Sequence, residues 1–279
     1  MVPLQYLLRF IEEDSPFGDI TSDTVIPDKT CNAVIRAEQE GVIAGIAEAS
    51  ALFTHFGILA KPRKRDGDRV ITEDIILSLS GNAKGILLVE RTALNIIGRM
   101  SGIATQTGKF ADIVSAANTR CRIAATRKTS PGFRALDKKA VQLGGGDPHR
   151  MSLSDGILIK DNHLMLISLT EAIRAAKAAS AYRKIEVEVE TPRDALKAAK
   201  EGADVLLLDN MIPGMVSETL AGLKRAGLRD RVTIELSGGI DERTLQEYAI
   251  LDVDVISMGA LTHTVKNFSL TLEILPVTR

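Results

Sequence analysis

Cysteine is nearly absent. Only Cys31 and Cys121 occur among 279 residues, too few for a disulfide framework, and neither sits in a metal-ligand spacing. A reducing compartment is therefore expected. Long apolar runs are missing as well: none approaches the roughly 18 residues of a membrane helix, and the longest candidate, GVIAGIAEASALF, is interrupted by Glu48. Neither sign of charge is in excess. With 35 Lys and Arg against 36 Asp and Glu the formal net charge is −1, so nothing in the global balance calls for nucleic acid or a membrane surface. The opening MVPLQYLLRFIEED has no basic n-region and runs into Glu12 and Asp14, so it does not read as a signal peptide, and a cytoplasmic protein is expected. No low-complexity tract is present.

What is there has an order. From about residue 120, β-branched and aliphatic runs alternate with segments of helical spacing such as LTEAIRAAKAASA and PRDALKAAKEGA. The strand candidates are RIAAT (122–126), GILIK (156–160), KIEVEVE (184–190), DVLLLD (204–209), RVTIEL (231–236) and DVISMG (254–259). Strand, helix, strand in repetition predicts βαβ units and a parallel sheet. Six candidates are fewer than a closed eight-stranded barrel needs, so a missed strand or an incomplete barrel is expected. An open doubly wound sheet is the alternative, weakened by the absence of GxGxxG after the first strand. The first hundred residues mix short helices and strands and predict a separate α/β domain over 1–104. The second domain is then 105–265, and KNFSLTLEIL alternates like a strand, so 266–279 is expected to return to the first domain.

Polar residues gather where the strands end. Arg127 and Lys128 follow the first, Lys160 the second, Glu188 ends the third and Asp209 the fourth; Ser237, Gly238 and Gly239 follow the fifth, and Gly259 to His263 the sixth. In (β/α) barrels such residues converge on one mouth. Between Arg122 and Lys160 eight cations (122, 127, 128, 134, 138, 139, 150, 160) face three acids (137, 147, 155), a composition suited to a polyanionic ligand or, more plainly, to a solvated basic face. His149 and Arg150 follow GGG (144–146), which could simply end a helix; His163 could hydrogen-bond its own loop. Glu186, Glu188 and Glu190 share one face of their strand, and Glu188 with Asp209 could hold a divalent cation beside a phosphate. SGGI (237–240) reads as the start of a helix and GALTH (259–263) as a second turn, either of them a phosphate cradle or only a tight turn.

Taken together, TRKTSPGFR (126–134), GGGDPHR (144–150), LSDGILIKDNH (153–163), EVEVET (186–191), LLLDNM (206–211), ELSGGI (235–240) and VISMGALTH (255–263), with ERTALNIIGRMSGIAT (90–105) before them, resemble the quinolinate phosphoribosyltransferase family across nearly the whole chain. The resemblance implies an N-terminal α/β sandwich domain and an open, about seven-stranded α/β barrel. It implies a homodimer, or a hexamer of dimers, that transfers ribose 5-phosphate from phosphoribosyl pyrophosphate to quinolinate, with loss of pyrophosphate and CO₂, giving nicotinate mononucleotide for NAD synthesis. By motif position Arg127, His149, Arg150 and Lys160 would hold the quinolinate carboxylates, with Arg91 reaching into the partner's site. Lys128, Glu188 and Asp209 would face the phosphoribosyl group and Mg²⁺, with Glu188 and Asp209 as metal ligands, and Lys128, Lys160, Glu188 and Asp209 would serve catalysis. Ser237, Gly238, Gly239, Gly259 and His263 would cradle the 5-phosphate.

The chain departs from the family pattern at three places: Ala125 stands for an Asp before TRKT, Pro148 for an Asn before HR, and Leu236 for an Ala before SGG. None removes a proposed charge contact, although Ala125 and Pro148 could alter loop geometry. A related branch linked to molybdenum transport shares some motifs, and the intact IKDNH argues against it. Two further hypotheses stay open on the sequence: a barrel aldolase or decarboxylase using Lys160 as a Schiff-base nucleophile, and a non-catalytic binder of phosphometabolites on the same scaffold.

Overall fold

A computed structural model describes residues 2–276. Five strands come first: β1 (Thr30–Ala37), β2 (Gly41–Val42), β3 (Leu59–Pro62), β4 (Arg69–Val70) and β5 (Ile75–Asn82). Six more follow, β6 (Arg122–Ala124), β7 (Ile157–Ile159), β8 (Ile185–Val189), β9 (Val205–Asp209), β10 (Thr233–Ser237) and β11 (Val255–Ser257), and β12 (Leu270–Ile274) is the last. The chain clusters into two compact units, the first comprising Met1–Gly108, Pro131–Gly145 and Thr264–Arg279, the second Lys109–Ser130 and Gly146–His263.

The first unit is built on an antiparallel sheet in the order β12-β1-β5-β3. β1 pairs with β12 from Ala33↔Ile274 to Ala37↔Leu270, so the alternating tail does return to this sheet; the expected segment's last residues, 277–279, lie outside the described ones. Helices α1 (Leu4–Asp14), α2 (Ile20–Val25), α3 (Ile46–His55) and the first part of α4 (Ala83–Ala117) accompany the sheet. One boundary differs from the sequence reading, which assigned everything from 105 to 265 to the second domain. Residues 131–145, carrying α5 (Arg134–Leu143), group with the first unit. Ion pairs account for it: Arg99 makes a two-pronged bridge to the fully buried Asp137 at 2.8 and 2.9 Å, and Lys139 reaches both Glu48 at 2.7 Å and Asp66 at 2.8 Å. Glu48, the break in the longest apolar run, is thus a buried carboxylate with a lysine partner. Gly144 ends α5 as its C-cap and packs so close that an added Cβ would lie 2.4 Å from the Ala104 carbonyl oxygen, which gives the first glycine of GGG a packing role.

The second unit holds a parallel sheet in the order β6-β11-β10-β9-β8-β7. It is open, since β6 and β7 form its two edges. Six strands are present among the described residues where about seven were expected, and the further position is reduced to a single parallel bridge between Ala124 and Asp147. Helices α6 (Asp161–Leu164), α7 (Leu169–Ala179), α8 (Pro192–Glu201) and α9 (Pro213–Arg225) lie between successive strands. Local chemistry sets their ends: Ser168 caps α7 by accepting from Glu171 N–H, Thr191 caps α8 with Pro192 in its first turn, and Gly202 closes α8 at φ 92°. Pairing register runs Val187↔Leu206↔Ile234 across three neighbours, and these three with Ile256 are fully buried in one apolar cluster.

Candidate active site

The same register fixes what faces the other way. Because side chains alternate along a strand, burying Val187, Leu206, Ile234 and Ile256 on one side sends Glu186 and Glu188, Leu207 and Asp209, Glu235 and Ser237, and Ser257 to the opposite one. From that face Glu188, Leu207, Asp209, Glu235, Ser237 and Ser257, with Leu158 and Lys160 and the loops carrying Arg127, Lys128, His149 and Arg150, line a cavity of about 340 Å³, a size suited to a small ligand.

Eight of the residues expected at the site therefore meet in one pocket: Arg127, Lys128, His149, Arg150, Lys160, Glu188, Asp209 and Ser237. Gly259 lies beside it, since a Cβ there would come within 3.0 Å of both Lys128 Cδ and His263 Cδ2. His263 ends α11 (Ala260–His263), which starts directly after Gly259, and Thr262 Oγ1 donates to the Lys128 carbonyl at 2.8 Å. Gly238 (φ +89°) and Gly239 (φ +63°) are both left-handed, and Gly238 abuts Asn210, whose Oδ1 would be 2.3 Å from an added Cβ. The SGG turn does not open a helix as the sequence suggested. Asp241 and Thr244 form a hydrogen-bonded turn first, and α10 (Leu245–Ala249) begins only at Leu245. Arg91 is exposed on α4 in the first unit and is not among the residues lining the pocket.

Charge in the pocket is arranged in layers. Lys160 is ion-paired to Glu188. Behind them, His149 Nε2 lies 3.0 Å from Glu235 Oε2 and 3.9 Å from Glu186 Oε2. The Glu235 side chain is only 4% exposed. His149 has a left-handed backbone at φ 53°, held by its own N–H donating to Asp147 Oδ1 at 2.7 Å; a non-glycine residue in that region marks a locally strained, over-determined position. Burial, then the charge of Glu235, pushes the Glu186 carboxyl up to about 7, while His149, Arg150 and Lys160 pull it the other way. Arg127 Nε and Glu186 Oε1 are among the buried polar atoms of the described residues that have no hydrogen-bond partner.

Two carboxylate groupings bear on a metal. Asp209 is pushed up, first by burial and next by the charge of Glu188, so these two carboxylates repel one another at the ends of adjacent strands, and an all-oxygen pair of this kind fits Mg²⁺. Asn210, also left-handed at φ 52°, donates from Nδ2 to Asp209 Oδ2 at 2.6 Å and so orients that carboxylate. The cluster of His149, Glu186 and Glu235 brings its ligand atoms within 4.8 Å of one another, but the positive charges of Arg150 and Lys160 act on it and make it a poor place for a further cation.

The sequence reading missed Glu235 and Ser257, and it placed Asn210 beside Asp209 at a strand end without giving it a role. A signal existed for Glu235: stepping back two residues from Ser237 along the pleat lands on it, a lone acid in an apolar strand. His163 resolves as a local contact, its Nδ1 accepting from the Lys160 backbone N–H at 2.9 Å. Leu236, a departure from the family pattern, belongs to the apolar cluster on the far face, and Ala125 is buried at the pocket wall. A Schiff-base lysine needs surroundings that strip its charge, whereas Lys160 is paired with Glu188. No described helix is long and apolar enough to cross a membrane.

Comparison with known proteins agrees with this geometry. The chain is 44% identical over 261 residues, 93% of its length and 99% of the relative's, to a probable carboxylating nicotinate-nucleotide pyrophosphorylase of Archaeoglobus fulgidus. It is 37% identical to the carboxylating nicotinate-nucleotide pyrophosphorylase of Mycobacterium leprae, with 95% of each chain covered. Among solved structures, the nicotinate-nucleotide pyrophosphorylase of Ehrlichia chaffeensis superposes with a TM-score of 0.92 at 30% identity, covering 99% of both chains, and that of Francisella tularensis with 0.90 at 32%, covering 99% of this chain and 98% of that one. Residues 19–101 match the N-terminal domain of quinolinate phosphoribosyl transferase and residues 103–273 its C-terminal domain, so the chain, whose cationic rim pocket falls within the second match, belongs to the quinolinate phosphoribosyl transferase family.

Proposed function

We propose that this pocket binds quinolinate and phosphoribosyl pyrophosphate side by side and transfers the ribose 5-phosphate to the pyridine nitrogen, with release of pyrophosphate and CO₂ to give nicotinate mononucleotide. The observation that carries the reading is the convergence of Arg127, His149, Arg150 and Lys160 in one cavity, with a buried Arg127 Nε–H that has no protein partner. Two ligands that are both anionic repel each other in water. A preorganised cationic wall offsets that repulsion and holds the ring nitrogen toward the anomeric carbon. Arg127 and Arg150 offer planar donor forks to the two carboxylates, and Lys160 adds a point charge.

Lys128 faces the phosphoribosyl group, and the turns at Ser237–Gly239 and Gly259–His263 take its 5-phosphate. Glu188 and Asp209 would hold Mg²⁺, which when bound supplies charge neutralisation for the pyrophosphate. The nitrogen lone pair forms the new C–N bond as the bond to pyrophosphate breaks, and the Glu188 carboxylate stands near the positive charge that develops on the ribose. The alkylated, cationic ring then takes up the electron pair left by the departing CO₂, and that ring carbon gains a proton. No Schiff base or thiolate is required. We further place the enzyme in the cytoplasm as a homodimer, with Arg91 completing the partner's site.

The test is direct. Purified protein supplied with quinolinate, phosphoribosyl pyrophosphate and Mg²⁺ should form nicotinate mononucleotide and CO₂ in equal amounts, and nicotinate should not replace quinolinate. Arg150→Ala and Lys160→Ala should each abolish turnover. Full activity in both variants would overturn the assignment of this pocket.

A further inference from the structure

His149 is the one acid-binding candidate in the pocket whose charge is not permanent. An imidazole is the side chain that can gain or lose its charge near neutral pH, and its two nitrogens can exchange the proton. What surrounds it is specific. Glu235, projecting from the middle of β10, places Oε2 3.0 Å from Nε2; its side chain is 4% exposed, so the carboxylate has little water to share with. Glu186 on β8 stands 3.9 Å from the same nitrogen. Arg150 is the next residue along the loop, Lys160 lies at the end of β7, and Asp147 accepts the His149 backbone N–H. The ring is thus held through Nε2, and its backbone through the N–H to Asp147.

We propose that Glu235 is a positioning residue for the acid substrate: through its hydrogen bond to Nε2 it fixes both the orientation of the His149 ring and its positive charge in the pocket. A buried carboxylate within hydrogen-bond distance favours the protonated imidazole, and it requires Nε2 to carry a proton. Arg150 and Lys160 oppose a further positive charge nearby, and the Glu235 carboxylate, 3.0 Å from Nε2, is what offsets them. The inference rests on the functional reading above for the identity of the acid, but not for the behaviour of the ring.

Glu235→Gln keeps the shape of the side chain and its ability to accept from Nε2–H while deleting the charge. ¹⁵N NMR of the His149 ring in ligand-free protein should show its titration midpoint falling by about one pH unit or more in this variant, and Glu235→Asp, which keeps the charge, should restore at least part of it. In steady-state kinetics the KM for quinolinate should rise roughly ten-fold in Glu235→Gln, with the KM for phosphoribosyl pyrophosphate unchanged and kcat less affected than KM. An unchanged His149 titration in Glu235→Gln would overturn the proposal, as would an unchanged KM for quinolinate in an enzyme that does turn it over. A wild-type protein inert toward quinolinate would sink the functional reading instead, and the NMR titration would still decide the role of Glu235.

Discussion

Replacing Glu186 by Gln should make the protein gain stability relative to wild type as the pH is raised from 5 to 8. Glu186 is 8% exposed, and burial, reinforced by the charge of Glu235, carries its carboxyl from an ordinary 4.5 to about 7. Between those two values the folded protein keeps a proton that the unfolded chain has already lost. Stability from this group is therefore fully present below 4.5 and is lost as the pH rises through about 7. At about 1.36 kcal/mol per pH unit the interval is worth roughly 3 kcal/mol. Glutamine has nearly the same shape, is neutral throughout and carries no such dependence. Equilibrium urea unfolding of both proteins at pH 5, 6, 7 and 8 would give the difference in unfolding free energy. That difference should climb by about 2–3 kcal/mol in favour of the glutamine variant, most of it below pH 7. Parallel stability profiles would show that Glu186 is ionised as freely in the fold as outside it, and the argument from burial and repulsion would fail.

Gly238→Ala should raise the KM for phosphoribosyl pyrophosphate while leaving that for quinolinate near wild type, because the new Cβ would fall 2.3 Å from Asn210 Oδ1 at a left-handed φ of +89° and push aside the residue that orients Asp209; a stability loss of about 1–3 kcal/mol should accompany it, and equal effects on both substrates would contradict the placement. Asp137→Ala should cost about 3 kcal/mol or more in urea unfolding, since it strands Arg99 without its two-pronged, buried partner, and a loss below about 1 kcal/mol would show that α5 is held by apolar packing instead.

Much of the site was legible because its residues sit where a strand stops. Arg127, Lys160 and Asp209 interrupt apolar runs, and an interruption by a charge is visible without coordinates. Glu235 was harder, being enclosed by Ile234 and Leu236 in a run that reads as uniformly buried. Only the pleat parity, counted from Ser237, separates its face from theirs. Asn210 was legible only as a polar residue at a strand end: its role depends on a left-handed backbone and on a contact with Gly238, neither of which composition encodes. The alternation of strand and helix marked the second unit, whereas residues 131–145, read as part of 105–265, cluster by contact with the first. Their helix is joined to the first unit by Asp137 and Lys139, through partners at Arg99, Glu48 and Asp66 that lie 38 to 91 positions away.

The two halves of the pocket's charge come from different kinds of structure, and that division explains how the cations can be poised for a ligand and still sit in a stable fold. Glu186, Glu188, Glu235 and Asp209 belong to the sheet, whose pairing register fixes their backbone positions. Arg127, Lys128, His149 and Arg150 come from the loops after β6 and before β7, where adjustment to a ligand costs less than in a strand. A cationic cluster with no acids beneath it would be destabilised by its own repulsion. Acids that paired off every cation would leave nothing to bind a dianion. Here Lys160 is matched by Glu188 and His149 by Glu235, while the buried Nε of Arg127 has no protein acceptor. The sheet thus neutralises the charges it orients and leaves the Arg127 Nε without an acceptor of its own.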